Sequence, residues 1–136
     1  FGPHQNPHGE AGVVAIFCQK LVKDQKPVIC GDGEQTRDFI SVGDVVQANL
    51  IALDATCTGT FNVGTGIGTS TNRIFEVVAE NCGHAEPANR GPARPGDISR
   101  ISLDASKAKA DIGWAPQFSL EDGLKSTVDW FKQQVD

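Results

Sequence analysis

GDGEQTRDFISVGDV, residues 31–45, is the stretch that decides the fold, because the segments on either side of it act as its supports. The apolar residues 28–30 before it predict a short β-strand, and its first three residues predict a glycine turn that doubles the chain back as in a hairpin. The returning segment carries Arg37 beside Asp38. This pair has two interpretations: a surface ion pair of small energetic value, or a planar guanidinium held ready to bind phosphate or carboxylate oxygens.

The end of the same stretch predicts the start of a helix. Ser41 is a favoured N-cap residue, and Asp44 stands three residues later, in the capping-box position. Apolar residues at helical spacing continue the pattern from Val42 to about Ala55. Arg37 is therefore expected near a strand-to-helix junction, where a short rigid segment can present its guanidinium to an anion.

Length and composition restrict the class of protein. The chain has 136 residues, 39% of them hydrophobic and 21% charged, which predicts one folded domain over residues 1–136 and argues against disorder or a membrane protein. The net charge of −5 without a basic cluster argues against nucleic-acid binding. The first ten residues lack the features of a signal peptide, so we expect a cytoplasmic protein.

The cysteines and histidines do not have the spacing of a metal site. His4 and His8 flank an Asn-Pro pair where a helix is not expected, so no metal site is predicted. No Cys-x-x-Cys pair occurs, and the four cysteines are interpreted as reduced, mostly core residues: Cys18, Cys30, Cys57 and Cys82.

The rest of the chain alternates helical and extended patterns. Further helices are predicted at about 11–23, 70–83, 104–113 and 119–131, short strands at 60–63 and 100–103, and a loop at 84–96. Together with the first stretch they predict an α/β domain of about five helices with short strands. The strands are too few and too short for a complete Rossmann fold.

The segment Gly64–Gly68 partly imitates a dinucleotide-binding fingerprint, because a predicted strand precedes it and a helix follows it. Thr69 stands where the third glycine should be, and no strong second strand with an acidic residue follows. We therefore expect something more modest, namely that backbone N–H groups near this helix start contact an oxygen-rich ligand.

Several segments resemble, in order, a known family. They are FGPHQNP, EAGVVAIF, PVICGDGEQTRDFISVGDVVQA, FNVGTG, ARPGDI and LDASKAKADIGWAPQFSLEDGL, and they span nearly the whole chain. They resemble the extended short-chain dehydrogenase/reductases that act on nucleotide sugars, the group of UDP-glucose 4-epimerase and dTDP-glucose dehydratase. The resemblance implies the small C-terminal, substrate-binding part of an NAD-dependent epimerase or dehydratase, and hence a piece of something longer.

The resemblance also implies roles for individual residues. Arg37 and Arg94 would bind the diphosphate of a UDP- or dTDP-sugar, and Asp97 would accept hydrogen bonds from ribose hydroxyls. Six further residues would contact the nucleotide: Val28 and Cys30 beside the base, Phe39 and Ile67 as apolar walls, and Gly12 and Val13 through the backbone.

The residues that the family uses for chemistry are not found in this sequence. It contains no tyrosine, and therefore no Tyr-x-x-x-Lys pair, and no Gly-x-x-Gly-x-x-Gly follows an N-terminal strand. The resemblance thus implies that NAD is bound by an N-terminal part absent here, and that this chain alone is inactive, with no catalytic or cofactor-binding residues. The alternatives left open are a dehydratase or decarboxylase of the same family, a non-catalytic nucleotide-sugar-binding module, and a fragment that self-associates through the face that the absent part would cover.

Overall fold

The computed structural model of the protein describes residues 1–8, 12–54 and 58–135. These residues form five helices and four short strands. The helices are α1 (Val13–Val22), α2 (Val42–Asp54), α3 (Thr71–Cys82), α4 (Ser106–Ile112) and α5 (Leu120–Lys132), and the strands are β1 (Val28–Cys30), β2 (Thr36–Asp38), β3 (Gly68–Ser70) and β4 (Asn89–Gly91). The predicted α/β class, with about five helices and no complete Rossmann fold, is confirmed. None of the described helices has the length and apolar composition that crossing a membrane requires.

The main core lies between α1, α3 and α5. Phe17, Ile74 and Leu124, one from each helix, are almost fully buried there, and Ile29 of β1 joins them. Local signals set the limits of these helices as the sequence predicts. The Ser70 hydroxyl, for example, accepts a hydrogen bond from the Arg73 N–H at 3.1 Å, which caps the start of α3.

The strands form two separate two-stranded sheets. Strand β1 pairs with β4 in parallel, and β2 pairs with β3 in antiparallel orientation. The predicted hairpin between β1 and β2 is therefore wrong. The physical reason lies in the turn between them: Asn72 of α3 donates its backbone N–H to Gly33 O at 3.1 Å and its side-chain amide to Asp32 O at 2.9 Å. These bonds draw the turn towards α3 and separate the two strands.

Other strand predictions are also corrected. Residues 60–63 form no regular strand. The Asn62 side chain donates to Asp104 O at 3.1 Å, so a side-chain hydrogen bond and not strand pairing joins this segment to residue 104. The predicted strand at 100–103 is reduced to one bridge between Thr36 and Arg100. Strands β3 and β4 lie where no strand was predicted, because each has only three residues and pairs with a distant segment.

Asp44 does not complete the predicted capping box. Ser41 does cap α2, accepting the Gly43 N–H at 3.2 Å. The Asp44 side chain is fully buried and instead accepts the backbone N–H groups of Gln117 at 2.7 Å and Phe118 at 3.4 Å. It therefore joins α2 to the segment that leads into α5.

The cysteines agree with core positions where they are described. Cys18 is fully buried, and burial, with a smaller contribution from nearby Cys82, raises the pKa of its thiol to about 12. Cys30 and Cys82 are partly buried, and all three thiols are free. Cys57, Ala11 and Ala55 lie outside the described residues.

Candidate functional site

A cavity of about 520 Å³ lies between α1, β1, β2 and the loop that follows β4. Eight of the nine predicted site residues line it: Gly12, Val13, Val28, Cys30, Arg37, Phe39, Arg94 and Asp97. Since these residues belong to four separate stretches of the sequence, the fold itself brings them together. We refer to this space as the arginine cavity.

Arg37 is fixed in the wall of the arginine cavity. Its Nη1 atom donates to the backbone oxygens of Thr36 at 2.8 Å and Ile98 at 2.6 Å, and its Nη2 atom donates to Asp97 Oδ1 at 2.5 Å. The side chain remains 30% exposed. Because a guanidinium has five N–H donors, hydrogens on Nη2 and Nε remain for a ligand.

Arg94 contrasts with Arg37. It is exposed, and no hydrogen bond or ion pair is found for it within the described part of the chain. Lys20 of α1 also lines the arginine cavity, so the described lining carries three cationic side chains and one carboxylate, that of Asp97. This local excess of positive charge, in a chain of net charge −5, favours an anionic ligand.

Lys20 was not predicted from the sequence as a site residue, nor were five further lining residues: Ile16, Phe17, Ile29, Gln35 and Thr71. A signal for three of them was available. Once Val13 is assigned to the cavity, helical periodicity places the residues three, four and seven positions later on the same face of α1. Gln35 and Thr71 have no comparable local signal.

Ile67 does not line the arginine cavity. It is 67% exposed and borders a neighbouring cavity of about 730 Å³. The reason is the alternation of side chains along β2, which directs Asp38 away from the face that carries Arg37. The Asp38 carboxylate accepts the N–H groups of Thr65 at 2.8 Å and Gly66 at 2.9 Å, and this holds the glycine segment and Ile67 on that other face.

The same contacts concern the expected contact of backbone N–H groups with an oxygen-rich ligand. The N–H groups of Thr65 and Gly66 donate to a carboxylate of the protein itself, Asp38, and so are already bonded. Burial raises the pKa of Asp38, but hydrogen bonds from Thr65, Leu103 and Gly66 outweigh this and hold it below its ordinary value. The carboxylate is therefore ionised at neutral pH and serves as an internal anchor.

The neighbouring cavity is less suited to an anion. Its one arginine, among the lining residues described, is Arg73, which is paired with Glu121 at 3.0 Å and Glu76 at 3.4 Å. The walls include the aromatic rings of Phe1 and Phe118. An anionic ligand would there meet a cation already neutralised by two carboxylates.

The glycine segment also does not fit a dinucleotide such as NAD. It leads into β3, which pairs antiparallel with β2 in a two-stranded sheet. Dinucleotide sites need a parallel strand that leads through a glycine turn directly into a helix whose N-terminus faces the pyrophosphate. Here the relevant N–H groups of Thr65 and Gly66 are already bonded to Asp38.

Comparisons with known proteins find similar sequences and a similar structure. A family model described as GDP-mannose 4,6 dehydratase matches residues 1–127. The chain is 45% identical over 132 residues to a putative UDP-glucose 4-epimerase of Methanocaldococcus jannaschii, covering 97% of this chain and 43% of that protein. It is 42% identical over 135 residues to the UDP-glucose 4-epimerase of Mycolicibacterium smegmatis, covering 98% of this chain and 43% of that protein.

A solved structure shows the same fold. The UDP-glucose 4-epimerase of Thermotoga maritima, determined with UDP-glucose, superposes with a TM-score of 0.96 at 44% sequence identity. The match covers 100% of this chain and 44% of that one. The chain therefore spans less than half the length of the relatives it matches.

Proposed function

Because the chain belongs to the GDP-mannose 4,6-dehydratase family, we propose that it forms the substrate-binding part of an NAD-dependent nucleotide-sugar epimerase similar to UDP-glucose 4-epimerase. The match confirms the predicted resemblance to the C-terminal part of extended short-chain dehydrogenase/reductases. The observation that carries the proposal is that Arg37 and Arg94 line one cavity.

In this proposal the two arginines bind the diphosphate in different ways. Arg37 offers the remaining donors of a guanidinium that its own backbone contacts hold in place. Arg94 has no partner among the described residues and approaches from the exposed side. Charge-assisted hydrogen bonds from two guanidiniums suit the several oxygens of a diphosphate. The third cation, Lys20, adds to the attraction.

The nucleoside lies along the apolar part of the same cavity. Val28, which is 48% exposed, and Cys30 flank the base from β1, and Phe39 and Val13 form apolar walls. Gly12 offers its backbone, since it has no side chain to block a ligand. Asp97 accepts a ribose hydroxyl through Oδ2, because Arg37 occupies Oδ1. These assignments are part of the proposal.

The chemical step takes place outside this cavity. When bound, NAD would take up and return a hydride at the sugar, and we assign its binding to the part of such enzymes that this chain does not span. Without a tyrosine, the chain itself has no Tyr-x-x-x-Lys pair, so we propose that it is inactive alone. Its contribution is binding energy at the nucleotide, remote from the reacting carbon.

Epimerisation is proposed ahead of dehydration or decarboxylation because the relatives compared above carry the epimerase name. A non-catalytic nucleotide-sugar-binding module would use the same cavity. The two hypotheses differ once the chain is combined with the N-terminal part of a relative: turnover of UDP-glucose supports the epimerase, and binding without turnover supports the module.

Isothermal titration calorimetry tests the binding proposal directly. The wild-type chain is titrated with UDP, UDP-glucose, dTDP-glucose and uridine. UDP should bind at least about tenfold more tightly than uridine, because uridine lacks the charge-assisted contacts. Arg94→Ala should remove most of this difference. Arg73→Ala is the matched control, since it deletes the same charge at the neighbouring cavity and should leave the affinity unchanged. Equal affinities for UDP and uridine would contradict the proposal.

A second candidate, self-association, rests on a different surface. Helix α2 exposes an apolar stripe with side chains 45–82% exposed: Val42, Val46, Leu50 and Leu53. Such stripes mark interaction surfaces when they are contiguous. Sedimentation velocity should show a concentration-dependent dimer that the double variant Val46→Glu, Leu50→Glu abolishes. A monomer at all concentrations would exclude this candidate.

A further inference from the structure

Two adjacent side chains of β2, those of Arg37 and Asp38, bind one distant segment of the chain, residues 97–103. On one side of β2, Arg37 bonds to Asp97 and to Ile98 O. On the other, Asp38 Oδ2 accepts the N–H of Leu103 at 3.1 Å. The segment 97–103 is therefore fastened near both of its ends by neighbouring residues.

The backbone completes this attachment in the middle. Thr36 donates its N–H to Ser99 O at 2.9 Å and accepts the N–H of Ile101 at 3.1 Å. This bridge is short, with no further ladder beside it among the described residues. The side-chain bonds of Arg37 and Asp38 therefore add to the two backbone bonds that hold segment 97–103 beside β2.

Asp38 is well satisfied and takes no direct part in the arginine cavity. Its carboxylate accepts four hydrogen bonds: Thr65 N at 2.8 Å, Thr65 Oγ1 at 2.6 Å, Gly66 N at 2.9 Å and Leu103 N at 3.1 Å. It is absent from the cavity wall that Arg37 and Asp97 share. Any influence of Asp38 on a ligand must therefore pass through the segments that it joins.

We propose that Asp38 is a positioning residue, which holds segment 97–103 against β2 so that Asp97 keeps the Arg37 guanidinium directed into the arginine cavity. The proposal rests on the proposed function, because it names what orients the diphosphate-binding group of that site. The two adjacent residues then have different roles. Arg37 contacts the ligand, and Asp38 holds segment 97–103, which orients Arg37.

Asp38→Asn is the decisive variant. It preserves shape, but in either orientation its NH2 group faces a backbone N–H donor of Thr65, Gly66 or Leu103. The affinity for UDP should fall at least about fivefold, the equivalent of one weakened hydrogen bond. Asp104→Asn is the matched control: Asp104 follows Leu103 and accepts the Ser106 N–H at 2.9 Å, but it does not bond to β2. Its UDP affinity should stay at the wild-type value.

A ligand-free measurement separates this inference from the proposed function. In NMR spectra without nucleotide, Asp38→Asn should shift or broaden the Arg37 Nε–H signal and accelerate hydrogen exchange of the 99–103 amides. If the wild-type chain does not bind UDP, the proposed function fails, and the Arg37 signal alone then decides the positioning role.

The other results of the variant experiments also test the positioning role of Asp38. A folded Asp38→Asn chain with wild-type UDP affinity, or with an unchanged Arg37 signal, overturns the proposal. If Asp38→Asn does not fold, Thr65→Val removes the hydroxyl that donates to Asp38 and accepts the Ile67 N–H, while the backbone donors to Asp38 remain. It should produce the same changes at smaller amplitude, and an unchanged Arg37 signal would overturn the proposal.

Discussion

Arg37 and Asp97 are 60 positions apart in the sequence and form an ion pair of 2.5 Å in the wall of one cavity. Their side chains are 30% and 34% exposed, so water screens the attraction and the pair adds little to stability. The pair matters because it orients the Arg37 guanidinium. The carboxylate, together with the backbone oxygens of Thr36 and Ile98, fixes where the guanidinium points.

The two arginines should respond differently to removal. Arg94→Ala should lower the affinity for UDP at least about tenfold with little change in melting temperature, because Arg94 has no partner in the described part of the chain. Arg37→Ala should lower both the affinity for UDP and the melting temperature, since Thr36 O and Ile98 O lose their donor. Calorimetry and thermal unfolding of both variants check this. Equal losses of stability would show that Arg94 has a structural role.

Asp38 should contribute to the decrease of the unfolding free energy at low pH. Burial raises its pKa, but hydrogen bonds from Thr65, Leu103 and Gly66 outweigh this and leave it lowered. A lowered folded-state pKa gives stability that is complete above the unfolded value of about 3.9 and is lost as pH falls through the folded value. Asp38→Asn should therefore weaken the pH dependence of the unfolding free energy below about pH 4. A series of urea titrations measures this, and an unchanged slope would contradict it.

Gly33 should not tolerate a side chain. It has φ +77°, and a Cβ there would overlap Asn72 Oδ1. Gly33→Ala should cost about 2–4 kcal/mol of unfolding free energy from strain and crowding together. Gly83→Ala is the control: at φ +72° it has open space around the added Cβ, so only the backbone strain of about 1 kcal/mol applies. Urea unfolding that gives equal costs would exclude the crowding by Asn72.

Asp44 should matter more for stability than a surface carboxylate. Asp44→Ala removes a buried carboxylate and leaves the partly buried N–H of Gln117 without its acceptor at 2.7 Å, which should cost about 1–3 kcal/mol. Asp129→Ala breaks an exposed pair with Lys125 and should cost much less, because water screens that pair. Chemical denaturation of both variants provides the comparison. A similar cost for the two would mean that the buried contact adds nothing.

Local chemistry made parts of this fold predictable. The helices predicted to begin near residues 70 and 119 do so, and Ser70 and Ser119 cap them, because a cap depends on residues within one turn. Gly83, in the left-handed conformation, ends α3 where the sequence placed the end. The strand at 28–30 also formed at the predicted residues.

Long-range contacts account for what the sequence argument missed. Strand β4 exists only because β1 lies beside it, and the sequence around Arg90 carries no strand pattern of its own. Asp44 has the spacing of a capping box, yet a distant segment captures its carboxylate. The cavity residues came largely from the family resemblance. Ile67 borders the neighbouring cavity instead, because the resemblance carried no information about which side of β2 the glycine segment lies on.

A crystal structure of the chain with UDP tests the central claim most directly. The account predicts that diphosphate oxygens lie within hydrogen-bond distance of both Arg37 and Arg94 in the arginine cavity. A diphosphate bound in the neighbouring cavity beside Arg73, or one that contacts neither Arg37 nor Arg94, would contradict it.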